Sequence, residues 1–249
     1  MQVIDYPALA PYAERYAGLE TVPLKVTVRL RPGAGLCYYD PLNLDNLLAR
    51  LVVDEATHGQ GLPHEPTGCY RLPVPLQVLW CSPEGLPLYA CTPLLPVGFQ
   101  AQDTQYFHKP AQSCRWTCGP KGVFRLATNK GRYMERRIPI RVQVCEEWAA
   151  LAIGNPQGIA RLLAGVTAIG KHRNRGQGEV NLAAPAEVSP AEGFDLVSQG
   201  MLTRRVPVGA IHLLPGVPEE APGLVGWTPP QWKQALWSPG WREGVPAGP

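Results

Sequence analysis

The stretch VPLKVTVRLRPGAGLCYYDPLNLDNLLARLVVDEA, Val22 to Ala56, sets the architecture. In its first nine residues Leu24, Val26, Val28 and Leu30 alternate with Lys25, Thr27 and Arg29, the period of a strand with one buried face. The turn RPGAG follows. Leu44, Leu47, Leu48, Leu51 and Val52 then recur at i, i+3, i+4, i+7 and i+8, which predicts an amphipathic helix with Asn43 or Asp40 as N-cap and Gly59 just beyond its end.

Working outward, the apolar runs Leu76 to Trp80 and Leu86 to Thr92, joined by SPEG, read as a hairpin. The next forty or so residues show no period. In RRIPIRVQV, Ile138, Ile140, Val142 and Val144 share one face, with Arg137, Arg141 and Gln143 on the other. Asn155-Pro156 is an N-cap followed by proline at the first helical position, and Ile159, Leu162, Leu163 and Val166 make a second amphipathic helix ending near Gly165. Beyond a glycine-rich loop, EVNLAAPAEV and MLTRRVPVGAIHLL read as extended. The order strand, helix, hairpin, irregular insertion, strand, helix, loop, strand predicts an α+β, ferredoxin-like βαββαβ sheet with two helices on one face. The open face of such a sheet is a frequent RNA platform.

The chain has 249 residues and 45% hydrophobic content, enough for a proper core in one large domain or two small ones. It contains no run of eighteen apolar residues, and its start lacks the features of a signal peptide, so a cytoplasmic protein is expected, with no membrane partner. Seven cysteines without a secretory signal read as reduced thiols. The 28 prolines call for short elements with many fixed connections. The tail from Pro215 holds four of the seven tryptophans among eight prolines. Those indoles are expected to pack on the chain's own helices, with Pro229-Pro230 starting a short helical turn on which Trp232 and Leu236 share a face.

The net charge of +3 is unevenly distributed. Residues 104 to 178 hold thirteen Lys and Arg against three Asp and Glu, while both flanks are net acidic. A basic block of this kind is the footprint of a phosphate-rich partner, and its arginine content suits phosphate contact and base stacking. The block ends in AIGKHRNRGQGEV, Ala168 to Val180, where Lys171, His172, Arg173 and Arg175 stand between Gly170 and the pair Gly176 and Gly178. This is neither a P-loop nor a dinucleotide fingerprint: a helix ends, the loop follows, and a strand comes next, so no helix N-terminus awaits a pyrophosphate. The remaining readings are a solvated turn or a seat for nucleic acid. In the second, glycines admit a phosphodiester, the cations supply charge and His172 a stacking ring.

Cys114 and Cys118, with His108 upstream, lack the second short-spaced pair that structural zinc needs. No metal or cofactor is expected, and Cys81, Cys91 and Cys145 read as buried thiols. His58 and His64 lie in the loop after the first helix, with nothing that places them against a nucleophile.

PLNLDNLLARLVVDEA after a glycine turn, NKGRYMERRIPIRV, GVTAIGKHRNRGQGEV, GMLTRRVPV and GWTPPQW together resemble the small RAMP subunit of type IV CRISPR effector complexes, the counterpart there of the Cas-five proteins. The resemblance runs from about Val22 to the C-terminal tryptophans. It implies a ferredoxin-like RAMP domain over residues 22–214, an N-terminal extension at 1–21 and a Trp/Pro-rich tail at 215–249. It also implies a non-catalytic role, gripping the 5′ handle of the CRISPR RNA and capping a filament of backbone RAMP subunits. The other implied partners are the large subunit and target DNA within the complex. An irregular basic insertion at about 100–135 would form a thumb carrying Lys109, Arg115, Lys121, Arg125, Lys130 and Arg132. With Tyr133, Arg136, Arg137, Arg141 and the loop residues Gly170, Lys171, His172, Arg173, Arg175, Gly176 and Gly178, these make the expected RNA site. One position departs: Gln177 stands where many such loops carry an aromatic or aliphatic residue, which bears on how tightly the loop packs. Related RAMP proteins cleave precursor RNA without metal, so an endoribonuclease using His172 with Lys171 and Arg173 is the alternative.

Overall fold

The structure, a computed structural model, describes residues 2–38, 40–65, 68–109, 116–119, 122–125, 135–214, 223–231 and 233–246; of residues 109, 116–119 and 122–125 it describes the backbone alone. In chain order the elements begin with β1 (Gln2–Ile4), α1 (Ala10–Tyr16), β2 (Val22–Arg29), β3 (Gly35–Leu36), α2 (Leu44–Ala56), β4 (Gly68–Tyr70), β5 (Val78–Cys81), β6 (Pro87–Tyr89) and β7 (Leu95–Val97). The middle of the chain forms β8 (Ala101–Lys109), β9 (Trp116–Gly119), β10 (Gly122–Arg125), β11 (Arg136–Val144), β12 (Glu147–Gly154) and α3 (Pro156–Leu163). Then come β13 (Ala186–Pro190), β14 (Val197–Ser198), β15 (Met201–Leu202), β16 (Val206–Pro207), β17 (Gly223–Val225) and β18 (Ser238–Trp241). The protein is mixed α and β, built mostly from small antiparallel sheets with few helices.

The central sheet has four strands in the order β13-β2-β12-β7, every neighbouring pair antiparallel. Its buried face is the one the alternation in β2 marks, with Leu24, Val26 and Val28 opposite Ala152, Ala150 and Trp148 of β12. Both α2 and α3 pack on that face, through Leu44, Leu47, Leu48 and Val52 of the first and Ile159, Leu162 and Leu163 of the second. Asn155 caps α3 with its side chain, accepting a bond of 2.8 Å from the Gly158 amide. Asn43 occupies the N-cap of α2, but its side-chain amide donates to Pro41 O and to Gln231 Oε1 instead of receiving a helix N–H.

Two expected assignments change. The strand between β2 and β7 is EWAALAIG, whereas the arginine-rich RRIPIRVQV is β11 and lies outside the central sheet. The second strand of the sheet is β7, and the SPEG hairpin, formed by β5 and β6, stands apart as its own pair. The insertion is not irregular where it is described: β8 runs for nine residues and pairs with β11 along its whole length, and β9 pairs with β10. With β3 on the other side of β11, they form a three-stranded arm, β3-β11-β8.

A second core lies between the SPEG hairpin and the C-terminal segment. It gathers Leu86, Leu88, Leu202, Val206, Ala210, Leu214, Val225, Trp227, Leu236 and Trp241. Trp227 and Trp241 of the tail are therefore buried in the chain, but against the hairpin and residues 202–214 rather than on the helices, and Trp237 is half-buried. Val208–Leu213 forms 3-10 turns where extended chain is expected, because Val206, Ala210 and Leu214, four residues apart, all enter this core. Trp232 lies outside the described residues; Leu236 is held by a 3-10 turn at Gln234–Leu236. The two cores meet at a buried ion pair, Asp45 with Arg204, at 2.9 Å. No helix among the described residues is long and apolar enough to cross a membrane.

Candidate nucleic-acid interface

After α3 the chain buries Val166 and Ile169 and then enters the loop. Backbone bonds pin both its ends to each other and to β3: Ile169 N donates to Gly178 O at 2.9 Å, Gly178 N to Gly35 O at 2.9 Å, and Lys171 N to Cys37 O at 2.8 Å. Gly170 and Gly178 have φ of +77° and +65°, and neither has room for a side chain. A Cβ on Gly178 would lie 1.9 Å from Ile169 O, and one on Gly170 2.5 Å from Leu36 Cδ1. The room these two glycines create is thus filled by the chain's own Ile169 carbonyl and by Leu36 of β3, not left for a phosphodiester. Gly176, at φ +78°, has open space beside it.

Between the pinned ends, His172 takes a left-handed backbone conformation and starts a 3-10 turn, Arg173–Arg175. Lys171, Arg173 and Arg175 are exposed at its rim. The Arg175 guanidinium lies 3.3 Å above the Phe107 ring centroid, a cation–π contact, and its Nη1 is 3.4 Å from His172 Nδ1. Arg173 lies near Arg50 and Asp54 of α2; partial enclosure, then the Arg50 charge, push its guanidinium below its ordinary value, with Asp54 opposing. It stays a cation at any physiological pH.

The arm supplies the second wall. Cross-strand register places Phe107 with Ile138, Gln105 with Ile140 and Asp103 with Val142 on one face, where Cys37, Ile140, Val142 and Phe107 form a small cluster beside the loop. Gln177 is buried there and donates from Nε2 to Gln105 Oε1 at 2.5 Å, so a polar bond joins loop and arm. The opposite face carries Tyr106 with Pro139, Thr104 with Arg141 and His108 with Arg137. Of the expected site residues, the structure groups Lys171, His172, Arg173 and Arg175, with Arg136 at the far end of the loop-facing side. Arg137 and Arg141 are on the other side of the arm. The backbone of Lys109 pairs with Arg136, and Arg125 ends β10. Arg115, Lys121, Lys130, Arg132 and Tyr133 lie outside the described residues.

The open face of the central sheet does not have the make-up of an RNA platform. Its strands β2 and β12 place Lys25, Arg29, Ala149 and Leu151 there, with Thr27 buried among them and no aromatic ring, and Arg29 is paired with Glu187 at 2.6 Å and Glu147 at 3.8 Å. His58 and His64 are exposed in the loop after α2. Among the described residues no three His, Cys, Asp or Glu side chains gather as a metal site. Cys114 lies outside them, as does the Cys118 side chain. Cys37, Cys69, Cys91 and Cys145 are buried free thiols, whereas Cys81 is exposed, contrary to expectation.

Sequence reasoning misses Gln105, Tyr106 and Phe107, because AQDTQYFHK has no apolar alternation to mark it as a strand. The one available signal is the need of an arginine-rich strand for a partner. Compared with known proteins, the chain matches no family model and no curated relative.

Proposed function

We propose that the protein is a non-catalytic RNA-binding and assembly subunit, of the kind that holds the 5′ handle of a CRISPR RNA in a type IV effector complex. The observation that carries this reading is the pinned loop: backbone bonds and two glycines without side-chain room fix a short turn that holds Lys171, Arg173 and Arg175 outward beside the basic arm. A turn so fixed presents its cations at small further cost in ordering them on binding, which a flexible lysine-bearing surface would not. The strand order β13-β2-β12-β7, with α2 between β2 and β7 and α3 between β12 and β13, supports a ferredoxin-like core beneath it.

The test is binding of repeat-derived RNA across a salt series. For single strands the logarithmic slope falls by about 0.7 per phosphate contact, so Arg173→Ala/Arg175→Ala should flatten it by about 1.4 and weaken binding. Wild-type affinity in the double variant would reduce the loop to a turn. The same RNA incubated in EDTA should stay intact; specific cleavage lost on His172→Ala would establish the endoribonuclease instead.

A further inference from the structure

We infer that the outer face of β8 and β11 is a second binding surface for single-stranded nucleic acid, on which Tyr106 stacks an unpaired base and Arg137 and Arg141 hold the flanking phosphates. It rests on the nucleic-acid reading for the class of ligand, but it shares no residue with the loop.

Register establishes the face. Tyr106 is opposite Pro139, midway along β11 between Arg137 and Arg141, so a cation stands on either side of the ring along the strand. The two arginine Cα atoms are about 13 Å apart at strand rise, with the strand position of the ring midway between them. Tyr106 is 56% exposed, and the Arg137 guanidinium lies 4.1 Å above its centroid. That contact pre-orders both groups and adds a cation to the stack. The remaining members of the face are Gln102, Thr104, His108 and Gln143. The ribbon's one acidic strand residue, Asp103, pairs with Val142 on the opposite face, and Glu135, just before β11, is bonded to His108. Two cations and an exposed ring, with the Glu135 carboxylate held at the edge of the face by His108, are complementary to a polyanion with planar bases. The loop and its cluster cover only the other side.

The test is the binding of short oligouridine and of inorganic polyphosphate to the full chain and to its variants. Tyr106→Leu should weaken oligouridine binding about 5- to 100-fold, the range that loss of a stacking ring gives, and leave polyphosphate binding unchanged. Tyr106→Phe keeps the ring and should bind as wild type does. Arg137→Ala/Arg141→Ala should weaken both probes. The Tyr106 effect should persist at full size in Arg173→Ala/Arg175→Ala, since the sites are separate. Melting curves of each variant should match wild type, as every substituted side chain is exposed. Oligouridine binding that is indifferent to Tyr106→Leu but falls with the loop variant overturns this inference and leaves the proposed function standing. Absence of any salt-dependent RNA binding by the wild type overturns both. Polyglutamate binding that depends on Tyr106 and excludes oligouridine would mark the face as a seat for an acidic protein, and would also overturn it.

Discussion

Replacing Asp45 with alanine should destabilise the protein more than any exposed substitution, because this one carboxylate joins the two cores. Asp45 and Arg204 are 0% and 1% exposed as side chains, and their oxygen and nitrogen are 2.9 Å apart. Asp45 also accepts from Gln231 Nε2 at 3.2 Å and from the Asn46 amide at 2.8 Å, tying the first turn of α2 to the C-terminal segment. Arg204 donates further to the carbonyls of Tyr89 and Cys91 and, at 2.9 Å, of Trp227. Its Nε has no partner among the described residues, so the guanidinium has no spare bond to exchange for the lost one. Removing one partner of a buried pair strands the other and costs about 3–5 kcal/mol. For a chain of this length each kcal/mol moves the midpoint by about 2–4 °C, so Asp45→Ala should lower Tm by about 6–20 °C. Thermal melts followed by tryptophan fluorescence and by far-UV circular dichroism give the number. Asp45→Leu/Arg204→Met, which removes both charges, should recover much of the loss. A shift under about 1 kcal/mol in Asp45→Ala, or a double variant no better than the single, would refute the joint as described.

Three further outcomes follow from the same geometry. Gly176→Ala, with open space but a left-handed backbone, should cost about 1–2 kcal/mol, and Gly178→Ala distinctly more, since its Cβ would meet Ile169 O; equal losses in urea denaturation would contradict this packing. Native-state alkylation at neutral pH should label Cys81 before the other described cysteines, because burial and then the Asp45 carboxylate push the Cys91 thiol up to about 12; early labelling of Cys91 by mass spectrometry would contradict its burial. The hydrogen bond from Arg161 holds the Glu55 carboxyl below its ordinary value of 4.5, so its contribution to stability is present at neutral pH and is lost as the pH falls through that lowered value; Glu55→Gln should therefore flatten the acid limb of a stability–pH profile, and an unchanged limb would dismiss the pair.

How much of this was readable beforehand depended on what each side chain touches. In β2 the period is plain because large aliphatic residues alternate with polar ones, and α2 and α3 are equally plain from their spacing and caps. β12 is hidden because its buried Ala150 and Ala152 are no larger than the half-buried Ala149, and its outward residue Leu151 is apolar. RRIPIRVQV shows the sharper alternation, yet only Ile140 and Val142 of its apolar row are buried. Alternation reports which side chains share a face, and it is silent on which sheet the strand joins or what covers it. The covering is decided by a loop that arrives some thirty residues later and whose own shape rests on Gly170 and Gly178 having nowhere to put a Cβ. The cations of that loop were legible as composition, but their support was not: Phe107 beneath Arg175 and Gln105 beside Gln177 sit on a strand without a pattern. For the same reason Asp45 reads as an ordinary acid in a helix's first turn and Arg204 as a surface charge in MLTRRVPV. Only the approach of residues 159 positions apart reveals that each is the other's counterion. Long-range polar pairing of this kind also sets Arg137 and Arg141 apart from the loop, since the bond between Gln177 and Gln105 seats one face of the arm on the chain itself and leaves the two arginines exposed on the other.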